Sequence, residues 1–109
     1  MALLDHAVPY LYLVRAEFSS DGDEDAWNAW YDQEHVHDLL SVPGFVGVTR
    51  LKERDRERCY LAIYELSSPD AFEEPRYAEV TGWGRWRPFI VETRKGVYQL
   101  IDDRGTFGG

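Results

Sequence analysis

Basic residues are scarce beside acidic ones in this chain: 12 lysines and arginines stand against 20 aspartates and glutamates, a formal charge of −8 over 109 residues. Such a surface repels phosphate backbones and anionic headgroups, which argues against nucleic acid or a membrane as partner. Cysteine occurs once, as Cys59, so no internal disulfide can form and a reducing cytoplasm is the expected compartment. Its place in a β-like run reads as a buried thiol, not a nucleophile. No apolar run approaches the roughly 18 residues that a membrane helix needs. The first nine residues lack the basic cluster and apolar stretch of a signal peptide. Absent too are a glycine-rich phosphate loop, a Ser-His-Asp set, a CxxC pair and a dinucleotide fingerprint, so no cofactor is expected.

What is present is apolar and aromatic. At 44% apolar and 15% aromatic the chain can build a core, and its length suits one domain over residues 1–109. Tyr10 to Phe18 is a β-branched and aromatic run, strand 1. Polar residues from Ser19 to Asp25 offer helix caps, and a helix is expected from Glu24 to about Leu40, stopped by Pro43-Gly44. Phe45 to Glu53 is strand 2, Lys52 to Arg58 a solvated hairpin loop, and Cys59 to Leu66 strand 3. Ser67-Ser68-Pro69-Asp70 starts a short helix that Pro75 interrupts. A second helical piece, Ala78 to Trp86, is weakened by Gly82 and Gly84 and closed by Pro88. Phe89 to Ile101 is a final strand with a bend expected at Gly96, and residues 102–109 read as a loose tail.

The order is β-α-β-β-α-β, an α+β, ferredoxin-like split unit with one antiparallel four-stranded sheet and its helices on one face. Strand 3 is apolar on both sides: Tyr60, Ala62, Tyr64 and Leu66 against Cys59, Leu61 and Ile63. Strand 1 sets Tyr10, Tyr12, Val14 and Phe18 against Leu11 and Leu13. Helices can cover only one face, so the other calls for a second copy packed sheet to sheet, a homodimer.

The segment from Trp27 to Phe45, with Trp27, Tyr31, His35 and Pro43-Gly44, resembles the first helix of the dimeric α+β barrel superfamily, in particular its EthD-like branch. That resemblance implies kinship with small polyketide cyclases, lactone isomerases and cofactor-free monooxygenases. It implies a histidine, here His35, facing a cleft between helix and sheet. Where many relatives carry a proline two residues later this chain has His37. Periodicity alone points elsewhere: at about 100° per residue, Ala26, Trp30, Val36, His37 and Leu40 share one side, almost opposite Trp27, Tyr31 and His35. Two bulky aromatics one turn apart need cover as well, so His35 is taken as the inward histidine.

His35 is therefore the candidate general acid or base, with Asp32 to tune it and His37 as the competing catalytic group. The two histidines sit i and i+2 on a helix and point different ways, so no metal site is expected. Trp27, Tyr31, Tyr60, Tyr64, Trp83, Trp86 and Phe89 are candidates to bind an aromatic or polyketide-like ligand. Arg15 could pair with an anionic ligand group, although an ion pair with an acid such as Glu17 is the simpler reading. The expected function is a cofactor-free enzyme moving protons on a small polycyclic, aromatic or lactone-like metabolite, of cyclase, isomerase or dehydratase type. The alternatives are a cofactor-independent monooxygenase and a non-catalytic binding or accessory protein.

Overall fold

Alternation along the strands decides which residues meet the helices. A computed structural model of the protein describes residues 8–101. Strands β1 (Tyr10–Phe18), β2 (Phe45–Lys52), β3 (Cys59–Leu66) and β4 (Ile90–Gln99) form one antiparallel sheet in the order β2-β3-β1-β4. The first and last strands are thus neighbours, which is the ferredoxin-like arrangement. On β1, Tyr12, Val14, Ala16 and Phe18 are buried, and they share the helix-covered face with Ala62, Tyr64 and Leu66 of β3.

The opposite face carries Leu11, Leu13 and Arg15 beside Ile63 and Leu61, with Thr49 and Leu51 across from those two. These residues are half-buried at most, and the helices lie on the other side. The apolar character expected on both sides of strands 1 and 3 is therefore present. Apolar exposure continues along the β4 edge, where Tyr98 is 56% exposed and Val97 48%.

The first helical run comprises α1 (Glu24–Trp30), a π-helical turn (Tyr31–His35) and α2 (Val36–Leu40). Asp23 caps it by accepting a hydrogen bond from the Ala26 amide at 3.0 Å, with Glu24 and Asp25 at the positive end of the dipole. The turn into β2 needs glycine at 44: φ is 98°, and a Cβ there would come within 2.8 Å of the Ala71 Cβ.

Three expectations about the second half need correction. Pro75 does not merely interrupt a helix. It occupies the first turn of α3 (Pro75–Val80), where its missing N–H costs nothing, after a 3-10 helix over Pro69–Glu73 capped by Ser68. The stretch Ala78 to Trp86 is not continuous either. α3 ends at Val80, Gly82 and Gly84 take positive φ, and a 3-10 helix (Gly84–Phe89) follows, Pro88 included. Strand 4 runs only from Ile90 to Gln99 and passes Gly96 in unbroken register; its irregularity lies opposite Glu17 and Phe18. Gly96 instead leaves room for the Tyr98 ring. The tail over 102–109 lies outside the described residues.

Candidate functional site

The π turn orients the site. Val36 N–H donates to the carbonyl of Tyr31, five residues back, so this turn holds one residue more than an α turn. Trp27, Tyr31, His35 and Leu39 are all buried, each four positions from the last. In a regular helix each step of four overshoots a full turn by roughly 40°, spreading four such residues over about 120°. The wider turn absorbs that drift and keeps them in one stripe. His35 consequently points inward at 6% exposed, whereas His37 is exposed. The set that period alone would bury is not the inward one: within the regular α1 Trp27 is buried while Ala26 and Trp30 are only half-buried, so the inward stripe is that of Trp27, Tyr31 and His35.

The stripe meets the sheet in a cleft walled by Tyr31, His35 and Leu39 from the helix and by Tyr12, Val14, Tyr64 and Lys95 from the sheet. Tyr77, Thr81, Gly82 and Trp83 close its remaining side. It holds about 300 Å³ of empty space including the part open to solvent, but only about 20 Å³ can take the centre of a water molecule. An aromatic ligand must therefore displace part of the wall. Trp83 is only half-buried, and it stands between two glycines at φ 101° and 54° around which there is open space.

Rings surround the His35 imidazole. Trp30 stacks on it at 4.6 Å and 17°, Tyr31 meets it edge-on at 5.0 Å, and Trp83 lies at 6.1 Å. This burial is the main reason its pKa falls from 6.5 to about 4. Arg50 and Lys95 push it in the same direction, and Asp38 opposes them. At neutral pH the ring is therefore uncharged and can accept a proton.

The tyrosines cannot compete for that role. The Tyr31 and Tyr64 hydroxyls are 2.8 Å apart and buried. Burial raises the pKa of Tyr12, Tyr31 and Tyr64, and Tyr77 raises that of Tyr12 further. They remain phenols and serve as hydrogen-bonding groups. Removing one hydroxyl strands the other: Tyr31→Phe should cost about 1–3 kcal/mol in urea unfolding, and the Tyr31→Phe/Tyr64→Phe pair less than the two singles together. Additive costs would mean that the hydroxyls do not depend on each other.

A polar stripe parallels the aromatic one. Glu24, Asn28 and Asp32 recur every four residues. The Tyr60 hydroxyl donates to Glu24 and accepts from Asn28 Nδ2 at 3.0 Å. Arg50 of β2 donates to Asn28 Oδ1 at 2.9 Å and to Asp32 Oδ1 at 2.8 Å, while its guanidinium lies 4.0 Å over the Tyr31 ring. Arg50 and Lys95 were not singled out by sequence reasoning. The available signal was alternation: opposite Ala62 and Val14, both are cations on the helix-covered side of their strands.

The structure brings His35, Tyr31, Tyr64 and Trp83 together at the cleft. Trp27 lies fully buried beneath Trp83 and Tyr31 and, with Tyr60 and Arg50, lines a second, smaller crevice. Trp86 and Phe89 pack on Phe18, away from His35. Asp32 is exposed and paired to Arg50, so the carboxylate acting on His35 is Asp38. Arg15 lies on the helix-free face, bound at 2.9 Å to Glu53 rather than Glu17. Among the described residues no cluster of three or more histidine, cysteine or acidic side chains is placed to hold a metal. No described helix is long and apolar enough to cross a membrane.

No family model and no curated protein sequence matches the chain. Solved structures do. SnoaB, a cofactor-independent oxygenase from Streptomyces nogalater, is similar with a TM-score of 0.71 at 19% identity over 92% of this chain and 100% of that one. The haem degrader MhuD from Mycobacterium tuberculosis is similar with a TM-score of 0.63 at 20% identity, covering 89% and 100%. A dimeric ferredoxin-like protein from an uncultured marine organism gives 0.67 at 13%, covering 89% and 91%. None of these likenesses singles out the EthD-like branch. At such identities they speak for architecture, and the chain has a ferredoxin-like α+β fold.

Proposed function

We propose that this protein is an oxygenase that needs no cofactor and acts on a phenolic aromatic metabolite bound between His35 and Lys95. The observation that carries the reading is the buried, uncharged His35 imidazole in a cleft walled by phenols and indoles. A base of this kind takes a proton from a phenol or from a ring carbon flanked by aromatic rings. The Lys95 charge, which already acts on His35, would stabilise the oxyanion left behind. The electron-rich anion then reduces molecular oxygen itself. A ring CH2 and O2 become C=O and water: one oxygen atom enters the new carbonyl, and the other leaves with the two hydrogens.

The proton-transfer cyclase or isomerase reading uses the same base and the same cleft. The likeness in fold to a cofactor-independent oxygenase favours the oxygenase over it. Oxygen consumption separates the two. With a hydroxylated anthrone as probe, one O2 should disappear per ketone formed, without added metal, haem or flavin, and nothing should form under nitrogen. Rearranged product under nitrogen would support the cyclase reading instead. Turnover that requires haem or flavin would contradict both.

The same reading makes the protein a homodimer joined through the helix-free face. Leu11, Leu13, Leu61 and Ile63 there are apolar and only half covered. Light scattering at micromolar concentration should give about twice the chain mass of 12.7 kDa. Leu13→Asp together with Ile63→Asp should return it to the monomer mass, because charges buried across from one another lose their hydration. A monomer in the wild type would remove this part of the proposal.

A further inference from the structure

Arg50 stands out because a guanidinium on the covered face of a sheet is costly, and here both terminal nitrogens are bonded while Nε–H is buried with no partner among the described residues. Its side chain is only 14% exposed. One arm holds Asn28, in the last turn of α1, and the other holds Asp32, in the π turn. Those residues flank Tyr31 on the helix, so the fork spans the point where α winding gives way to π winding. Its flat face rests on Tyr31, with Trp27 at 5.5 Å and Tyr60 at 5.4 Å. Asn28 is tied in turn to Tyr60, and Tyr60 to Glu24. The polar stripe is thus fastened to the sheet at Glu24, Asn28 and Asp32.

We infer that Arg50 is the positioning residue that seats His35 in the cleft: its two bonds across Tyr31 hold the π turn open. The turn's own residues make no side-chain cap, and in a regular α-helix His35 would drift about 80° around the axis from Trp27. Relaxing one extra residue out of a helix rotates everything after it by about 100°. Held, His35 sits among Trp30, Tyr31 and Trp83; released, it moves toward water. The charged groups acting on it at present are Asp38 from its own helix, Arg50 from β2 and Lys95 from β4. Glu34 and Arg85 pair with each other at 3.8 Å on the outer side. This inference deepens the site described above and rests on that reading only for the use to which His35 is put.

The test is the His35 titration followed by NMR, which needs no substrate and so can fail or succeed independently of the oxygenase reading. Resonances are assigned with His6→Gln and His37→Gln, and far-UV circular dichroism confirms that each variant is folded. Arg50→Lys keeps the charge but cannot bridge two acceptors in a fork; Arg50→Met removes both charge and fork. In both, the His35 pKa should rise from about 4 toward the solvated value near 6.5. Asn28→Ala, which loses only one arm, should move it the same way by a smaller step, and it decides the matter should the Arg50 variants fail to fold. A His35 that stays near its wild-type value in Arg50→Lys would show that Arg50 acts as a charge alone. An unchanged His35 in folded Asn28→Ala, or in both Arg50 variants, would reduce Arg50 to a contributor to stability. Either result overturns the inference.

Discussion

Replacing His35 with alanine should lower kcat by about 10²–10⁴, the usual worth of a positioned proton acceptor, while ligand binding changes little. The imidazole contributes one edge of a cleft whose other walls, Tyr31, Tyr64 and Trp83, remain in the variant. Trp83 borders the cleft, so an aromatic ligand entering it should quench tryptophan emission in wild type and variant alike. His37→Ala should leave both readouts near wild type, since that side chain is exposed. Loss of turnover in His37→Ala with His35→Ala unaffected would reverse the assignment. Loss in neither would leave the chain a binder, since His35 is the only histidine lining the cleft among the described residues and its loss cannot be silent in an enzyme that depends on it.

Trp27→Ala should be the most damaging single change to stability, at about 3–5 kcal/mol in a domain of this size holding roughly 5–15. Trp27 is fully buried, stacked on Phe18 at 4.9 Å and set edge-on to Tyr60 at 5.2 Å and Tyr31 at 5.7 Å. Alanine would leave a void under both the cleft floor and the Arg50 fork. Trp27→Phe should cost much less, because the indole N–H is buried with no hydrogen-bond partner among the described residues. Phenylalanine keeps most of the ring contact and buries no donor. Urea denaturation with matched m-values reads both. A loss under about 1 kcal/mol for Trp27→Ala would mean that the aromatic cluster is looser than its geometry implies.

Strands 1 and 3 were legible to the residue because β-branched and aromatic runs bounded by Pro9, Ser67 and the charged hairpin leave little choice of ends. The first helix was legible at its start, where Asp23 caps it, and at its stop, where only glycine fits position 44. The direction of His35 was not legible from period, because α spacing offers two opposite stripes, Ala26-Trp30-His37 and Trp27-Tyr31-His35, and does not say which of them meets the sheet. The family resemblance carried that information. Arg50 and Lys95 were passed over since each cation sits in a strand whose other residues are mixed, and the helix that Arg50 bonds lies far from it in sequence. The region after Pro69 was hardest: prolines and paired glycines break it into 3-10 and α pieces too short for any period to appear.

The proposed chemistry needs a buried imidazole that is uncharged at neutral pH and takes the substrate's proton. The pH dependence of kcat/KM tests this most directly, since its acid limb reports the base in the free enzyme. With the His35 pKa lowered from 6.5 to about 4, the unprotonated form is lost only as pH falls through about 4. The profile should therefore stay flat from neutrality down to about pH 5 and fall tenfold per unit below the limb. The limb should vanish in His35→Ala along with the activity. An acid limb near 6.5 in the wild type would place the working base in water and contradict the site described.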